Sequence, residues 1–194
     1  MVVALVLLGV LVLVVGGWLV ATFNRFVRLR NLVQESWRQI DVELNRRHEL
    51  VPNLVEAVRG YAAHERSVVD AVSAARALVL VPGSSRAEHA AQEAGLGRAL
   101  GGLLAVAEAY PELQASAGFV ELQRELATTE DRIAAARRFY NANVRELTTR
   151  LESFPSGIVG RGLGLERAEY FEPGAPAARP VPVLDLGGAR GPAV

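Results

Sequence analysis

A run without a single charged residue, Val2 to Ala21, constrains this chain more than any other feature. About 20 apolar residues rising roughly 1.5 Å each cross the roughly 30 Å hydrocarbon layer of a bilayer, so residues 2–21 are expected to form a helix embedded in lipid. A cleaved signal peptide needs a basic leading region, a shorter apolar core and a small-residue cleavage site, and the run fits none of these. Trp18 and Phe23 suit the aromatic belt at the headgroups. Arg25, Arg28 and Arg30 follow at once, and the positive-inside rule then puts the N-terminus outside and residues 24–194 in the cytoplasm. Residues 1–23 are thereby read as the anchor of a single-pass protein of the cell membrane.

From Phe26 onward the apolar residues recur at helical spacing. Val33, Trp37, Ile40, Leu44, Val51, Leu54, Val58 and Tyr61 step by three and four, with Arg47 occupying one position of the stripe. Pro52 removes a backbone donor, yet the stripe keeps its register across it, which predicts one long kinked helix rather than two. A second helix is expected over about 64–80, with Val68, Val72, Ala75 and Val79 inward, closed by the turn Pro82-Gly83-Ser84-Ser85. The third, about 87–109, contains Gly95, Gly97, Gly101 and Gly102. Glycine disfavours helix interiors, so these predict close packing against a neighbour or a bend. The fourth, about 119–152, carries the stripe Phe119, Leu122, Leu126, Ile133, Tyr140, Val144, Leu147 and Leu151. No segment alternates like a strand, so the expected class is all-α: an antiparallel four-helix bundle over 24–155. Residues 156–172 read as a Gly-rich apolar connector, flexible around Gly160-Arg161-Gly162-Leu163-Gly164, and 173–194 as a disordered tail rich in Pro, Ala and Gly.

Several chemistries lack their residues. The chain has no cysteine, and its 21 basic and 21 acidic residues balance to a net charge of zero, so neither thiol chemistry nor a field attracting nucleic acid is expected. His48, His64 and His89 form no H-E-x-x-H pattern and pair with no Glu-x-x-His, so they read as solvated surface residues, with no metal or cofactor expected. Gly160 to Gly164 follows a helix and lacks the Lys-Ser/Thr of a phosphate loop. The serines have no nucleophile elbow. The expectation is a protein that is not an enzyme.

One polar group stands out: Arg46, Arg47, His48, Glu49 and Asn53 around Pro52. An arginine on a buried stripe needs a carboxylate, and Glu125, Glu130 and Asp131 of the fourth helix are the candidates by composition. Two readings stand: an internal ion pair that sets helix register, or a docking or ligand site where the proline frees backbone carbonyls. Tyr140-Asn141 admits the same pair of readings, Tyr140 lying on its stripe. Phe23-Asn24-x-x-Val27-Arg28 and Tyr140-Asn141-x-x-Val144-Arg145 share a pattern that is either a faint repeat or a coincidence.

Phe23-Asn24, Leu29-Arg30, Trp37, Asn45 to Val55 with Pro52 inside it, Gly60 to Glu65 including His64 and Glu65, Leu103 to Pro111, Arg132, Tyr140-Asn141 and Glu152 to Pro155 occur in the order found in LemA proteins. The chain resembles that family over about 17–172. It departs where a second aromatic-Asn pair is common, having Leu147-Thr148 instead. The resemblance implies a four-helix bundle similar in form to bromodomain-like bundles, tethered by one N-terminal span, and it implies no particular reaction. The expected function is a membrane-anchored helical interaction or scaffold protein with an unidentified protein partner. The alternative is a module binding lipid or a small amphipathic ligand at the membrane surface, resting on the Gly-rich third helix and on Ile158 to Phe171.

Overall fold

The computed structural model describes residues 1–61, 65–83 and 85–172. His64 and the tail 173–194 therefore lie outside the described residues. Six helices follow in order: α1 (Val2–Tyr61), α2 (Arg66–Val79), α3 (Arg86–Ala107), α4 (Pro111–Gln114), α5 (Ala117–Glu152) and α6 (Ser156–Gly162). Among the described residues there is no strand, and the all-α class is as the periodicity predicts.

α1 is a single helix of 60 residues, about 90 Å long at 1.5 Å per residue. Val2, Leu5, Val10, Leu13 and Val20 in its first third are all exposed. It is one helix long and apolar enough to cross a membrane. Apolar surface of this extent suits a bilayer, where a helix satisfies its own backbone. Burial by protein begins at Phe26, 1% exposed, so the bundle starts within two turns of the apolar run. No loop intervenes between span and bundle.

Pro52 sits inside α1, as the unbroken register predicts. Proline leaves the carbonyl four residues earlier, that of His48, without its helical donor. Nε of Arg76 on α2 donates to that oxygen at 3.2 Å. The freed carbonyl is thus occupied from within the bundle and is not open to a ligand.

α1 and α5 run antiparallel: Arg25 meets Glu146, whereas Arg46 and Arg47, further along α1, meet Glu125 and Glu130, earlier in α5. α2 and α3 form the second pair, joined around Pro82-Gly83, where Gly83 takes φ +96°. α3 starts with a capping box: Ser85 Oγ accepts from the Glu88 amide at 3.2 Å and Glu88 accepts from the Ser85 amide at 2.9 Å.

Three details differ from expectation. Tyr61, assigned to the stripe, is 46% exposed. On α2 Val72 and Val79 are buried as expected, but Val69 is buried with them and Val68 only half-buried. The glycines of α3 do not admit a close neighbour: a Cβ at Gly97, Gly101 or Gly102 would meet open space. Those residues weaken α3 without a packing return, so Gly101→Ala and Gly102→Ala are each expected to stabilise the bundle by about 0.5–1 kcal/mol in denaturant melts. The close approaches lie elsewhere. A Cβ at Gly160 would stand 2.5 Å from Leu151 Cδ2 and 3.0 Å from Phe26 Cζ, and one at Gly157 would collide with the Leu151 carbonyl.

Those two glycines belong to the segment read as a flexible connector, which is instead ordered and docked. α6 ends in a Schellman motif, the Leu165 amide donating to the Gly160 carbonyl and the Gly164 amide to that of Arg161, with Gly164 at φ +64°. Residues 165–172 then run as an extended strap back along the bundle, with Phe171 buried near its end at 3% exposure.

Candidate functional site

The buried apolar residues divide into two clusters. One, at the membrane-distal end, contains Val51 to Val58, Val69 to Val79, Leu96 to Ala107, Phe119 and Leu126. The other, nearer the membrane, contains Phe26 to Leu44, Ala90, Ile133 to Leu151 and Phe171. Arg47 and His48 on α1, Glu93 on α3 and Thr129-Glu130 on α5 fall between them along each helix and form a polar layer.

Arg47 is 4% exposed and holds two carboxylates. Its Nη1 donates to Glu130 at 2.9 Å, and its Nη2 contacts Glu93. The other oxygen of Glu93 meets His48 Nε2 at 2.8 Å and His89 Nε2 at 3.1 Å. Glu93 is thereby a junction among α1, α3 and, through Arg47, α5. Burial pushes its carboxyl up, but the hydrogen bonds from His48 and His89 and the charges of Arg47 and His48 outweigh this and bring it from 4.5 down to about 2. Arg47 Nε and His48 Nδ1 are buried without a partner among the described residues.

Two sequence expectations change here. His48 is 6% exposed and His89 half-buried, because both turn toward Glu93; neither is a solvated surface histidine. Of the proposed carboxylates, Glu130 reaches Arg47, Glu125 reaches only Arg46 at 4.0 Å, and Asp131 is exposed. The main partner, Glu93, was missed. Its signal was present: His89 and Glu93 stand four apart on one helix face, in line with the apolar positions Ala90, Leu96 and Leu100.

The polar segment around Pro52 is therefore split by helix geometry. Arg47 and His48 face in; Arg46, Glu49, Pro52 and Asn53 face out. Of the outward residues, Arg46, Glu49 and Asn53 line a shallow groove of about 600 Å³ between α1 and α5, together with Val42, Asn45, Leu50 and Glu125.

Beside the polar layer, the aromatic positions hold the strap. Phe171 packs edge-on to Trp37 at 5.3 Å and to His89 at 6.1 Å, and Trp37 edge-on to Tyr140 at 5.5 Å. Arg86 lies over Trp37 at 4.9 Å and donates to the Tyr140 hydroxyl at 2.8 Å. That hydroxyl donates to the Glu169 carbonyl at 2.6 Å. Burial holds the Tyr140 hydroxyl above its ordinary value against the opposing charge of Arg86. Asn141 acts as a backbone mimic, its Oδ1 accepting from the Phe171 amide at 3.0 Å and its Nδ2 donating to the Phe171 carbonyl at 3.2 Å. Phe23-Asn24, by contrast, are exposed on the span, so the two aromatic-Asn pairs occupy unlike settings. Glu65 precedes α2 and caps it only through its carbonyl, which accepts from Val68 at 3.2 Å.

A cleft of about 170 Å³ opens on the layer, lined by Arg47, Glu93, Glu130, Arg137, Gly97 and Phe171 among others. Among the described residues no three His, Asp or Glu side chains are arranged to hold a metal ion.

Comparison with known proteins agrees with this architecture. Magnetosome proteins MamQ 1 and MamQ 2 of Paramagnetospirillum magneticum are each 28% identical to the chain, over 79% of it and 66% of their own length. Magnetosome protein MamQ of Magnetospirillum gryphiswaldense is 26% identical, over 79% of the chain and 65% of that protein. The chain thus spans just under two thirds of the length of these relatives. The LemA family model matches residues 36–185, which include the polar layer, Trp37 and Tyr140-Asn141. This membrane-associated helical protein belongs to the LemA family.

Proposed function

We propose that the chain is a membrane-tethered interaction module whose α1/α5 face, at Val42, Asn45, Arg46, Glu49 and Asn53, docks a protein partner at the bilayer surface. The observation that carries this reading is the split of the Pro52 segment. Its inward half is spent on internal ion pairs, and its outward half presents a polar groove with an exposed valine, Val42 at 64%. Register setting is the best-attested role of charged residues that hold one another in a core. The cleft beside them, about 170 Å³, falls short of the roughly 300–1,000 Å³ of pockets that bury a small molecule. This weighs against a small-molecule site in that cleft and leaves the outward groove as the docking face. Arg25, Arg28 and Arg30 after the span support a cytoplasmic bundle with the N-terminus outside.

A photo-crosslinking residue at position 49 or 53 of the full chain, in native membranes, is expected to give a discrete adduct. The same residue at exposed Arg98 on α3 is expected not to. Identical adduct patterns from both faces, or none, would overturn the reading. Orientation has its own test, because the chain lacks cysteine: Ser85→Cys is expected to resist a membrane-impermeant thiol reagent until cells are lysed.

A further inference from the structure

We propose that α6 and the turn before it form a second membrane contact, a foot that rests in the headgroup layer beside the span. Trp18, Ala21 and Thr22 of the span line one groove with Arg25, Phe26, Arg150, Pro155 and Ser156. The start of α6 therefore stands beside the last turns of the apolar run, at the level where Trp18 marks the bilayer interface.

α6 presents two unlike faces. Gly157 and Gly160 are buried against Leu151 and Phe26, so the helix is seated on the base of the bundle with no freedom to turn over. Ile158 lies on the exposed side of α6, Phe154 stands in the turn that precedes the helix, and Arg161 flanks the seat at Gly157. Phe154 is 86% and Ile158 57% exposed, and Arg161 is exposed as well. Two large apolar side chains in water next to a membrane span are costly; at the interface they enter the acyl boundary and the arginine keeps its head among phosphates. Continuity with the span identifies the occupant as the bilayer. Seven residues are too few for an independent interfacial helix, and the tether removes that requirement by holding α6 at the surface.

The foot also constrains how the bundle stands. A single span leaves a bundle free to tilt; a second point of contact restricts that tilt and fixes which face of α1 and α5 looks along the membrane.

The test uses the full chain in phosphatidylcholine vesicles, with and without phosphatidylglycerol, containing lipids brominated at shallow or deep acyl positions. Trp18→Phe leaves Trp37, half-buried in the bundle, as the internal reference. Phe154→Trp in that background is expected to be quenched by the shallow bromines, to the degree seen for Trp18 in the parent, and less by the deep ones. Ile158→Trp is expected to behave alike. Loss of quenching when phosphatidylglycerol is withdrawn would assign the contact to anionic headgroups, and its persistence to the apolar face; either supports the foot. If the indole introduced by Phe154→Trp is unquenched and emits as in water, the proposal is overturned. A shielded but unquenched indole overturns it too, and would assign the face to protein.

Discussion

Glu93→Ala is expected to destabilise the bundle by about 3–5 kcal/mol, the range for breaking a buried ion pair from one side. The carboxylate satisfies Arg47 and both histidines. Removing it leaves Arg47, 4% exposed, with Glu130 as its one carboxylate, whose side chain is 44% exposed and already solvated. His48 would keep no partner at either ring nitrogen, since Nδ1 already has none among the described residues. Replacing the group as a whole should behave differently. Arg47→Met with His48→Leu and Glu93→Leu removes every charge of the buried trio at once and is expected to fall within about 1 kcal/mol of the parent, or above it. Denaturant melts in detergent, read on the bundle transition, decide both. A Glu93→Ala loss below about 1 kcal/mol would mean that the layer does not hold the helices together. The same residue predicts an acid transition. Its folded value, about 2, lies below the ordinary 4.5, so its stabilisation is complete above pH 4.5 and is lost as the pH falls toward 2. The amount is about 3 kcal/mol, at about 1.4 kcal/mol per pH unit. Glu93→Gln should abolish that component of the acid profile.

Phe171→Ala should release the strap. The ring is 3% exposed and edge-on to Trp37 and His89, and truncating a buried phenylalanine costs about 3–5 kcal/mol when the whole fold bears it. Here the loss is capped, because the strap can detach while the helices stay packed. The effect should therefore appear as local opening: about 3 kcal/mol raises the open population roughly 100-fold. Limited proteolysis between Leu163 and Glu172 is the readout, with the bundle melt nearly unchanged. Asn141→Ala should act in the same direction, since Asn141 binds both the amide and the carbonyl of Phe171. Cleavage no faster than in the parent would show that these contacts do not hold the strap.

Most of the helical architecture is legible in the sequence because burial there is one-dimensional. The stripes from Val33 to Val58 and from Phe119 to Leu151 need only a period and a sign. Arg47 on its stripe announced a buried charge, and the register across Pro52 announced an unbroken helix. The functional candidates were less legible. His48 and His89 looked solvated because their partner, Glu93, is 45 residues from one and sits among alanines and glycines that give α3 a weak stripe. The α3 glycines looked like packing positions, while Gly157 and Gly160 looked like linker. Composition cannot separate the two cases, because what makes a glycine necessary is an atom of another element within reach of its missing Cβ.

The amino-acid sequence by itself determined the apolar span, the long helices of the bundle, the turn between α2 and α3, and the presence of a charge in the core. Each follows from the order of residues within one element and from the free energy of removing apolar groups from water. Tertiary structure alone decided the rest: that Glu93 rather than Asp131 meets Arg47, that Arg76 caps the carbonyl freed by Pro52, that Asn141 clasps the backbone of Phe171, and that α6 stands beside Trp18. These are contacts between residues distant in the chain. Their directional hydrogen bonds and steric fits exist only once the helices have taken their places.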